Sequence, residues 1–328
     1  YYSGIYFRKE RTEIYPYFTM CRRGPAFRSP GQADICKTRS FAFNFTLMTI
    51  AVVGIGLIGG SLMIDLRKRG FAQKIIGVDL NMQHRNIAQL CGIVDETDSL
   101  ENAVDRSDLV ILSSPVDANC MMLPSILDRI QGTGKVVSDM GSTKASIARV
   151  SEHHPGRGRF VALHPMAGTE FSGPLAAIGK LFDYKIAIIC DAEKSDVDAR
   201  RIVESMLDTL NMRRIYMDSA DHDIHVAYVS HISHITSFSL ALSVLDKEKE
   251  EEHITTLAGG GFESTVRLAK SSAETWAPIF LENSEFILEV MDNYIEKMNL
   301  FKKMIRERNK EGLMALMEEA NKIRKILH

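Results

Sequence analysis

The clearest signal of ligand binding in this chain is a set of three closely spaced glycines. Gly54, Gly56 and Gly59 follow an apolar run at 49–53, and Gly59 lies in the first turn of a helix predicted over 58–69. In this setting the first glycine permits a tight turn, the second lets the backbone approach a pyrophosphate, and the third lets helix and strand pack closely. Free N–H groups at the helix start favour the phosphates. The stretch therefore predicts a dinucleotide site.

An acidic residue at the end of the next predicted strand supports this interpretation. A second apolar run at 74–78 ends in Asp79, twenty positions after Gly59. A carboxylate at this place holds the adenosine ribose hydroxyls and repels a 2′-phosphate. Neither Leu80 nor Asn81 offers a positive charge that could receive such a phosphate. The predicted cofactor is therefore NAD rather than NADP.

From Met48 to about Met217 the chain alternates between apolar runs typical of strands and amphipathic helical segments. After the first two strands, strands are predicted at 108–112, 135–138, 160–163, 185–190 and 213–217, and helices at 83–91, 118–130 and 195–210. This alternation predicts a Rossmann-type, doubly wound and mostly parallel sheet, which binds ligands at the carboxyl ends of its strands. The predicted cofactor-binding residues are Gly54, Gly56, Leu57, Ile58, Gly59, Asp79, Ser113, Ser114, Pro115 and Asp139.

Beyond Asp218 the pattern predicts helices alone. They are expected at 220–245, 264–271, 278–306 and 311–327, with the charged stretch 246–252 as a solvated helix end or loop. The expected organisation is a Rossmann domain at 48–217 and an all-α domain at 218–328. By analogy of fold, such a second domain supplies the substrate pocket and a dimer interface. Apolar residues on the long helix predict an intertwined homodimer through the C-terminal helices: Ile287, Leu288, Val290 and Met291.

Composition excludes several classes of function. The chain has 328 residues, 45% of them hydrophobic and 25% charged, and its net charge of -2 gives no reason to expect a nucleic acid or membrane partner. No apolar run approaches the roughly 18 to 20 residues of a membrane-spanning helix. Its five cysteines are scattered: Cys21, Cys36, Cys91, Cys120 and Cys190. They are interpreted as reduced thiols of a cytoplasmic protein, with no metal site.

Residues 1–47 differ from the rest of the chain. They are rich in arginine and aromatic residues and show no sustained period. We expect this irregular extension to be extra sequence ahead of a natural start at Met48, which directly precedes the first predicted strand. The alternative is an organellar transit peptide, since such peptides are rich in arginine and poor in acids.

Four further motifs make the interpretation more specific. They are Asp-Met-Gly-Ser-Thr-Lys at 139–144, Phe-Val-Ala-Leu-His-Pro-Met-Ala-Gly-Thr-Glu at 160–170, Val-Ser-His-Ile-Ser-His at 229–234, and Gly-Gly-Gly-Phe at 259–262 followed by Trp276. Together with the glycine turn, they resemble the prephenate dehydrogenase family of tyrosine biosynthesis. The resemblance implies that prephenate gives its ring C4 hydride to NAD and loses its ring carboxylate as carbon dioxide, which leaves 4-hydroxyphenylpyruvate.

The resemblance assigns catalytic roles to two residues. It implies that His164 accepts the proton of the C4 hydroxyl, and the ordinary pKa of a histidine, about 6.5, suits a base at neutral pH. It implies that Ser142 hydrogen-bonds both the substrate hydroxyl and His164. The alternative for Ser142 is to cap a helix expected over 143–150, because serine is a favoured N-cap residue.

Other matching positions are expected to hold the two substrate carboxylates. The resemblance makes Arg267 the main anchor, because a guanidinium can hold a carboxylate through two parallel hydrogen bonds. It makes His234 a carboxylate contact and His231 a supporting residue on the same helix face. The remaining matching pocket positions are Ser230, Thr169, Glu170 and Trp276. Glu263 and Ser264 stand where many relatives carry an Arg-Asp pair, so the ion pairs around Arg267 are expected to differ.

Three alternatives remain open at the level of sequence. Arogenate dehydrogenase performs the same chemistry on a substrate that carries an amino group in place of the keto group, and a cyclohexadienyl dehydrogenase accepts both. A metal-dependent hydrolase could use the histidine-rich stretch 221–234, in which His222 and His225 share a helix face, although no flanking glutamate of the His-Glu-x-x-His kind is present. The third alternative is a non-catalytic NAD-binding protein.

Overall fold

The computed structural model describes residues 48–251 and 254–326. Three of the sequence-based predictions therefore lie wholly or partly outside the described residues. They are the extension at 1–47, the last residue of the charged stretch 246–252 and the end of the helix expected at 311–327.

One eight-stranded sheet forms the first part of the fold. Its strands are β1 Met48–Val53, β2 Ala72–Val78, β3 Glu96–Thr97, β4 Leu109–Leu112, β5 Val136–Asp139, β6 Phe160–Pro165, β7 Ile186–Cys190 and β8 Arg213–Met217. Their order is β3-β2-β1-β4-β5-β6-β7-β8. Only the β6–β7 pair is antiparallel among these neighbours. The predicted doubly wound, mostly parallel sheet is confirmed, and its strand order reverses between β1 and β4, where such sheets bind ligands.

Helices cover both faces of this sheet. They are α1 Leu57–Lys68, α2 Met82–Leu90, α3 Leu100–Arg106, α4 Val116–Ile130, α5 Ala145–Ser151 and α6 Val197–Thr209. Along β1, Ile50 and Val52 pack into one buried apolar cluster while Ala51 and Val53 pack into the other, because successive side chains of a strand point to opposite faces. Because these strands are buried on both faces, their sequences are nearly continuous runs of apolar residues.

The second part of the fold contains helices and no strand among its described residues. Its helices are α7 Ser219–Val226, α8 Ile232–Glu248, α9 Gly260–Val266, α10 Ala273–Glu282, α11 Ser284–Arg306 and α12 Lys310–Ala320. A π-helical turn at Ala227–His231 separates α7 from α8. The predicted succession of a Rossmann-type sheet and an all-α segment is confirmed. In the described part of the chain, no helix combines the length and apolarity needed to cross a membrane.

Two long helices predicted from the sequence are interrupted in the structure. The helix expected over 220–245 is divided by the π-helical turn, and the helix expected over 278–306 is divided at Asn283. Pro278 does not begin a helix as expected but lies inside α10. Asn283 is almost fully buried and its amide donates to the Asp223 carbonyl oxygen at 2.8 Å. A tertiary hydrogen bond therefore holds this break, which apolar periodicity cannot reveal.

Candidate active site

The glycine turn lies at the carboxyl end of β1, beside the end of β4. Gly54 has a φ of +89°, and a Cβ atom there would lie 2.7 Å from the Ser114 nitrogen. The Ser113 hydroxyl donates to the Gly54 carbonyl oxygen at 2.7 Å. The turn thus requires glycine at position 54, and Ser113, predicted to contact the cofactor, also braces the turn from the neighbouring strand.

The other two glycines differ in their surroundings. A Cβ atom on Gly59 would overlap the Gly54 carbonyl oxygen and the Ser113 hydroxyl, whereas a Cβ atom on Gly56 would meet no atom within 4 Å. Gly56 is also the N-cap of α1, whose first N–H groups face this open space. Gly59 therefore serves close packing, and Gly56 leaves room for a phosphate group, as a dinucleotide requires.

Paired alanine variants separate these two roles. We expect Gly59→Ala to lower stability by about 1–3 kcal/mol, because its methyl group overlaps backbone and side-chain atoms. We expect Gly56→Ala to unfold like the wild type but to bind NAD at least about tenfold more weakly, because its methyl group occupies the phosphate space. Thermal unfolding and calorimetric NAD titration measure both effects. Gly134→Ala, in open space away from the turn, is the control, and equal NAD affinity of the 56 and 134 variants would contradict the assignment.

Asp79 lies at the carboxyl end of β2, next to the glycine turn. Its carboxylate accepts hydrogen bonds from the Ile55 nitrogen at 3.0 Å and the Asn81 nitrogen at 2.8 Å. The Arg85 guanidinium donates to the Asp79 carbonyl oxygen at 2.9 Å, and His84 lies 3.5 Å from the carboxylate. Asp79 is thus placed as predicted beside the turn. Arg85 is a positive group near this position that the inspection of Leu80 and Asn81 missed.

Asp139 and Lys144 form a buried ion pair below the loop after β5. Lys144 is fully buried, and its ammonium group donates to Asp139 at 2.6 Å and to the Gly141 carbonyl oxygen at 2.6 Å. The other Asp139 oxygen accepts from the Leu163 nitrogen at 3.3 Å. Asp139, predicted to contact the cofactor, is 1% exposed, so its carboxylate shapes the loop and has no open side toward a ligand.

Asp223 caps helix α5 from the helical part of the chain. Its two carboxylate oxygens accept from the Lys144 and Ala145 nitrogens, each at 2.8 Å. The helix expected over 143–150 begins at Ala145, and the role of cap belongs to Asp223, so the capping alternative for Ser142 was wrong. Ser142 remains half-buried on the loop that Asp223 and Lys144 hold.

His164 lies inside β6 rather than after it. Since β1, β4, β5 and β6 are parallel, it occupies the same edge of the sheet as the glycine turn. Its Nδ1 lies 2.8 Å from Nε2 of His222, and Nδ1 of His222 lies 2.7 Å from the Asp223 carboxylate. A buried chain of three side chains therefore connects His164 to the cap of α5.

The environment of His164 changes its acid-base properties. Burial lowers its pKa well below the ordinary histidine value, and the Lys144 ammonium lowers it further, as do His222 and His231 when they carry a proton charge. Burial also lowers the pKa of His222, although the Asp223 carboxylate opposes this. The assumption of an ordinary pKa near 6.5 for His164 was wrong. Its imidazole is neutral at pH 7 and can accept a proton.

His231 and His234 surround the indole of Trp276. The His234 ring stacks on it with centroids 3.4 Å apart, and His231 meets it edge to face at 6.0 Å. Nδ1 of His234 lies 3.1 Å from the Ser230 carbonyl oxygen, which can only accept, so Nδ1 carries the proton. Burial lowers the pKa of both rings, to about 4 for His231. The π-helical turn contains Ser230 and His231 and leads directly into the helix that carries His234.

Arg267 connects the helical part of the chain to the loop after β6 by an ion pair. Its guanidinium donates to the Glu170 carboxylate at 3.2 Å and is half exposed, while Glu170 lies on the loop after β6 next to the exposed Thr169. Glu263 lies 3.8 Å from Lys270 instead of pairing with Arg267. Arg267 also contributes to the lowered pKa of His234, which places both groups in one electrostatic environment.

Comparison with known proteins identifies the family. The family described as "Prephenate dehydrogenase, nucleotide-binding domain" matches residues 62–216, and "Prephenate dehydrogenase, dimerization domain" matches residues 218–319. Prephenate dehydrogenase of Bacillus subtilis (strain 168) is 30% identical over 278 residues, 84% of this chain and 75% of the relative. The chain belongs to the prephenate dehydrogenase family.

Solved structures of prephenate dehydrogenases and of a related enzyme share the fold. Prephenate dehydrogenase from A. aeolicus, solved with hydroxyphenyl propionate and NAD+, matches with a TM-score of 0.75 and 30% identity, covering 86% of this chain and 99% of that one. Synechocystis arogenate dehydrogenase matches with a TM-score of 0.66 and 25% identity, covering 86% and 100%. The predicted membership in the prephenate dehydrogenase family is confirmed.

Sequence reasoning missed several residues that organise this prephenate dehydrogenase site. The stretch that contains His222 and Asp223 was considered only for metal binding, and Lys144 and Asn283 received no role. Within residues 48–251 and 254–326, no group of three or more His, Cys, Asp or Glu side chains is placed to hold a metal ion. The signal available in the sequence was the adjacent His-Asp pair at 222–223, but its partners lie 58 and 79 residues away.

Proposed function

We propose that this enzyme catalyses the NAD-dependent oxidative decarboxylation of prephenate to 4-hydroxyphenylpyruvate. The observation that carries the proposal is His164, a neutral buried imidazole at the same sheet edge as the glycine turn, in a chain of the prephenate dehydrogenase family. When bound, NAD supplies a nicotinamide ring that accepts a hydride. Gly54, Gly56, Gly59 and Asp79 hold the cofactor.

In the proposed reaction, His164 moves one proton twice. It accepts the proton of the ring C4 hydroxyl as C4 loses a hydride, which leaves a ring carbonyl. The C–C bond to the ring carboxylate then breaks, carbon dioxide leaves, and its electron pair makes the ring aromatic. The resulting phenolate oxygen takes back the proton from His164, so the cycle releases no net proton. Ser142, on the loop next to Lys144, orients the hydroxyl toward His164.

Cationic groups are needed at the opposite end of the substrate ring, where both carboxylates lie. Arg267 is the permanent charge at this place, and the substrate competes with Glu170 for it. Neutral His234 has its free lone pair on Nε2, so it donates to a carboxylate only after it takes up a proton. Trp276 forms the wall against which His234 stacks and which His231 meets edge to face. Ser230 and Thr169 are proposed to complete the pocket.

The proposed reaction is tested by an assay with NAD and prephenate. Reduced cofactor and carbon dioxide should appear in equal amounts, with 4-hydroxyphenylpyruvate as the organic product. Reduction of NAD without carbon dioxide, or no reaction, would overturn the proposed reaction.

Arogenate is the second candidate substrate, and one observation favours it. The free Nε2 of neutral His234 is an acceptor, which suits the ammonium group of arogenate better than a second carboxylate. Steady-state rates on both substrates decide the matter, since the product from arogenate is tyrosine. A kcat/KM for arogenate more than about tenfold above that for prephenate would replace the first proposal, and equal values would make the enzyme a cyclohexadienyl dehydrogenase.

Asp79 is proposed to select NAD over NADP. We expect Asp79→Asn to lower the ratio of kcat/KM for NAD to kcat/KM for NADP by about 10²-fold, because the change removes repulsion of the 2′-phosphate and weakens the ribose contacts. Arg85 then becomes the charged neighbour of that phosphate. Initial rates with each cofactor measure the ratio. An unchanged ratio would show that Asp79 does not discriminate between the ribose hydroxyl of NAD and the 2′-phosphate of NADP.

We also propose that residues 218–328 form a dimerisation and substrate domain behind an NAD-binding domain at 48–217. Of the α11 residues expected in the interface, Ile287 and Val290 are buried inside the chain's own apolar cluster, while Leu288 is exposed. The outward apolar stripe of α11 consists of Leu288, Ile295, Met298 and Ile305. Their spacing of seven, three and seven residues is that of a helix seam that packs on another helix. We propose that a second copy of the chain covers this stripe.

Charge on the α11 stripe tests the homodimer. We expect Ile295→Glu with Met298→Glu to weaken self-association by at least about 10²-fold, because two carboxylates enter an apolar interface. Analytical ultracentrifugation over a concentration series measures the mass. Val197→Glu is the matched control, since Val197 is an exposed apolar residue at the start of α6. A double variant that remains as dimeric as the control would rule out this stripe as the interface.

A cytoplasmic location is proposed from the cysteines. Cys91, Cys120 and Cys190 are free thiols in the part of the chain that the structure describes. Burial raises the pKa of the Cys120 thiol to about 11, which makes it unreactive. Such thiols suit a reducing compartment, and cell fractionation tests the location.

A further inference from the structure

The chain of hydrogen bonds behind His164 determines where protons can lie. The Asp223 carboxylate accepts hydrogen bonds from the backbone N–H groups of Lys144 and Ala145, and Nδ1 of His222 also lies against it. Each of the three nitrogen–oxygen distances is 2.8 Å or less. A carboxylate in such contacts only accepts, so Nδ1 of His222 must carry a proton. Asp223 is 1% exposed and is held by the start of α5, so it has little freedom to rotate away.

The protonation of His222 then specifies that of His164. His222 is fully buried, and burial lowers its pKa, so its ring is neutral with a bare Nε2. The neighbouring Nδ1 of His164, 2.8 Å away, must therefore be the donor of that hydrogen bond. A neutral His164 with a proton on Nδ1 has its lone pair on Nε2, the only ring atom left to accept a proton.

We propose that His222, held by Asp223, is the positioning residue that keeps Nε2 of His164 unprotonated and ready to accept the substrate proton. The proposal rests on the proposed function for the identity of that substrate, but the assignment of protons concerns the free enzyme. His222 acts through His164 and does not touch the reacting atoms.

The same chain of groups stabilises the charge that His164 acquires. Burial and the Lys144 ammonium disfavour a positive charge on His164. The Asp223 carboxylate reaches it through His222, by hydrogen bonds of 2.7 and 2.8 Å. When Nε2 of His164 gains the hydroxyl proton, the hydrogen bond from Nδ1 of His164 to His222 strengthens. The negative charge of Asp223 polarises the His222 ring and so stabilises the positive charge on His164.

This arrangement also ties the chemistry to the contact between the two parts of the chain. Asp223 and His222 lie on α7, whereas His164 and the capped helix α5 belong to the Rossmann-type part. Asn283 donates to the Asp223 carbonyl oxygen at 2.8 Å and contacts Nδ1 of His231 at 3.0 Å. The break between α10 and α11 thus supports the same corner from behind.

Nitrogen-15 NMR of the histidine rings in the free protein tests the assignment without substrate. We expect the wild-type His164 signal, identified by its loss in His164→Asn, to show a protonated Nδ1 and a bare Nε2 at pH 7.5. In His222→Leu the Nδ1 acceptor is gone, and we expect a substantial population with the proton on Nε2. A wild-type ring already protonated on Nε2, or a His222→Leu ring identical to wild type, would overturn the proposal.

Kinetics provide the second arm of the test. We expect His222→Leu to lower kcat by about 10²-fold with unchanged NAD affinity, and His222→Gln, which keeps an acceptor oxygen, to recover at least about tenfold of that loss. His225→Gln, an exposed histidine of the same helix, should match the wild type. Equal kcat in the wild type and the leucine variant would also overturn the proposal. If the wild type does not oxidise prephenate, the proposed function fails, while the NMR result still decides the proton assignment.

Discussion

Replacing His164 by asparagine should lower kcat by about 10³-fold, because the reaction loses its general base. An asparagine can still contact His222, since its side-chain amide reaches the position of Nδ1, so the packing of this corner should survive. Its amide cannot take up a proton at neutral pH. Saturating NAD and prephenate, with reduced NAD followed by absorbance, give kcat directly.

The affinity for NAD separates loss of chemistry from loss of structure in this variant. The glycine turn and Asp79, which we propose to hold the cofactor, do not include His164, so calorimetry should give an unchanged Kd for NAD. His153→Asn, a change at an exposed histidine, should keep full activity. Turnover of the 164 variant within threefold of wild type would falsify the role of His164 as proton acceptor.

The lowered pKa of His164 also predicts the shape of the pH profile. A base must be unprotonated to work, and burial moves the protonation of free His164 well below pH 6.5. We therefore expect kcat/KM to show no loss of base between pH 7.5 and 6. A histidine with an ordinary pKa would already lose more than half of its base form at pH 6.

The sheet and the glycine turn could be predicted because their signals are local. Gly54, Gly56, Gly59 and Asp79 follow two consecutive strands, and apolar runs marked those strands directly. The two-residue strand β3 and helix α3 were not predicted, since Glu96–Thr97 is too short to show any period. Local patterns therefore describe the sheet and the turn but not its shortest edge.

The acid-base part of the site depends on contacts between distant positions. His164 meets His222 across 58 residues, and Lys144 meets Asp223 across 79. No period or motif encodes these pairs, because the side chains come together only when the helical part packs on the sheet. The same reason explains why the cap of α5 was predicted wrongly. Ser142 lies near the helix start and fits the local rule, but the first N–H groups of the helix donate to the buried carboxylate of Asp223.

Acid should destabilise this protein steeply, well above the pH at which its carboxylates titrate. His164, His222, His231 and His234 are buried, and burial lowers the pKa of each. Their folded-state pKa values lie below the unfolded value of about 6.5, so the unfolded chain binds more protons in the window between the two. Stability therefore falls as the pH falls from about 6.5 toward 4.

The size of the effect follows from proton counting. Each such histidine adds about 1.4 kcal/mol per pH unit to the slope of unfolding free energy against pH. His164 and His222 share one hydrogen bond and cannot both act independently, so we expect a net slope of about 2 to 3 kcal/mol per pH unit. Arg69 lowers the pKa of the Asp183 carboxyl by a hydrogen bond. Protonation of such salt-bridged carboxylates therefore lowers the free energy of unfolding only below about pH 4.

Urea unfolding at pH 7.5, 6.5, 5.5 and 4.5 measures this slope, and one variant assigns it. An asparagine at position 231 can still accept from Asn283 but does not titrate, so His231→Asn should reduce the slope by about one proton, roughly 1.4 kcal/mol per pH unit. The exposed His225→Asn is the matched control and should leave the slope unchanged. If the 231 and 225 variants show the same slope, the buried histidines are not the source of the acid sensitivity. A slope that disappears above pH 4.5 in the wild type itself would mean that these rings titrate in the folded protein as they do in the unfolded chain, which would contradict the lowered pKa of His164 and the pH profile expected from it.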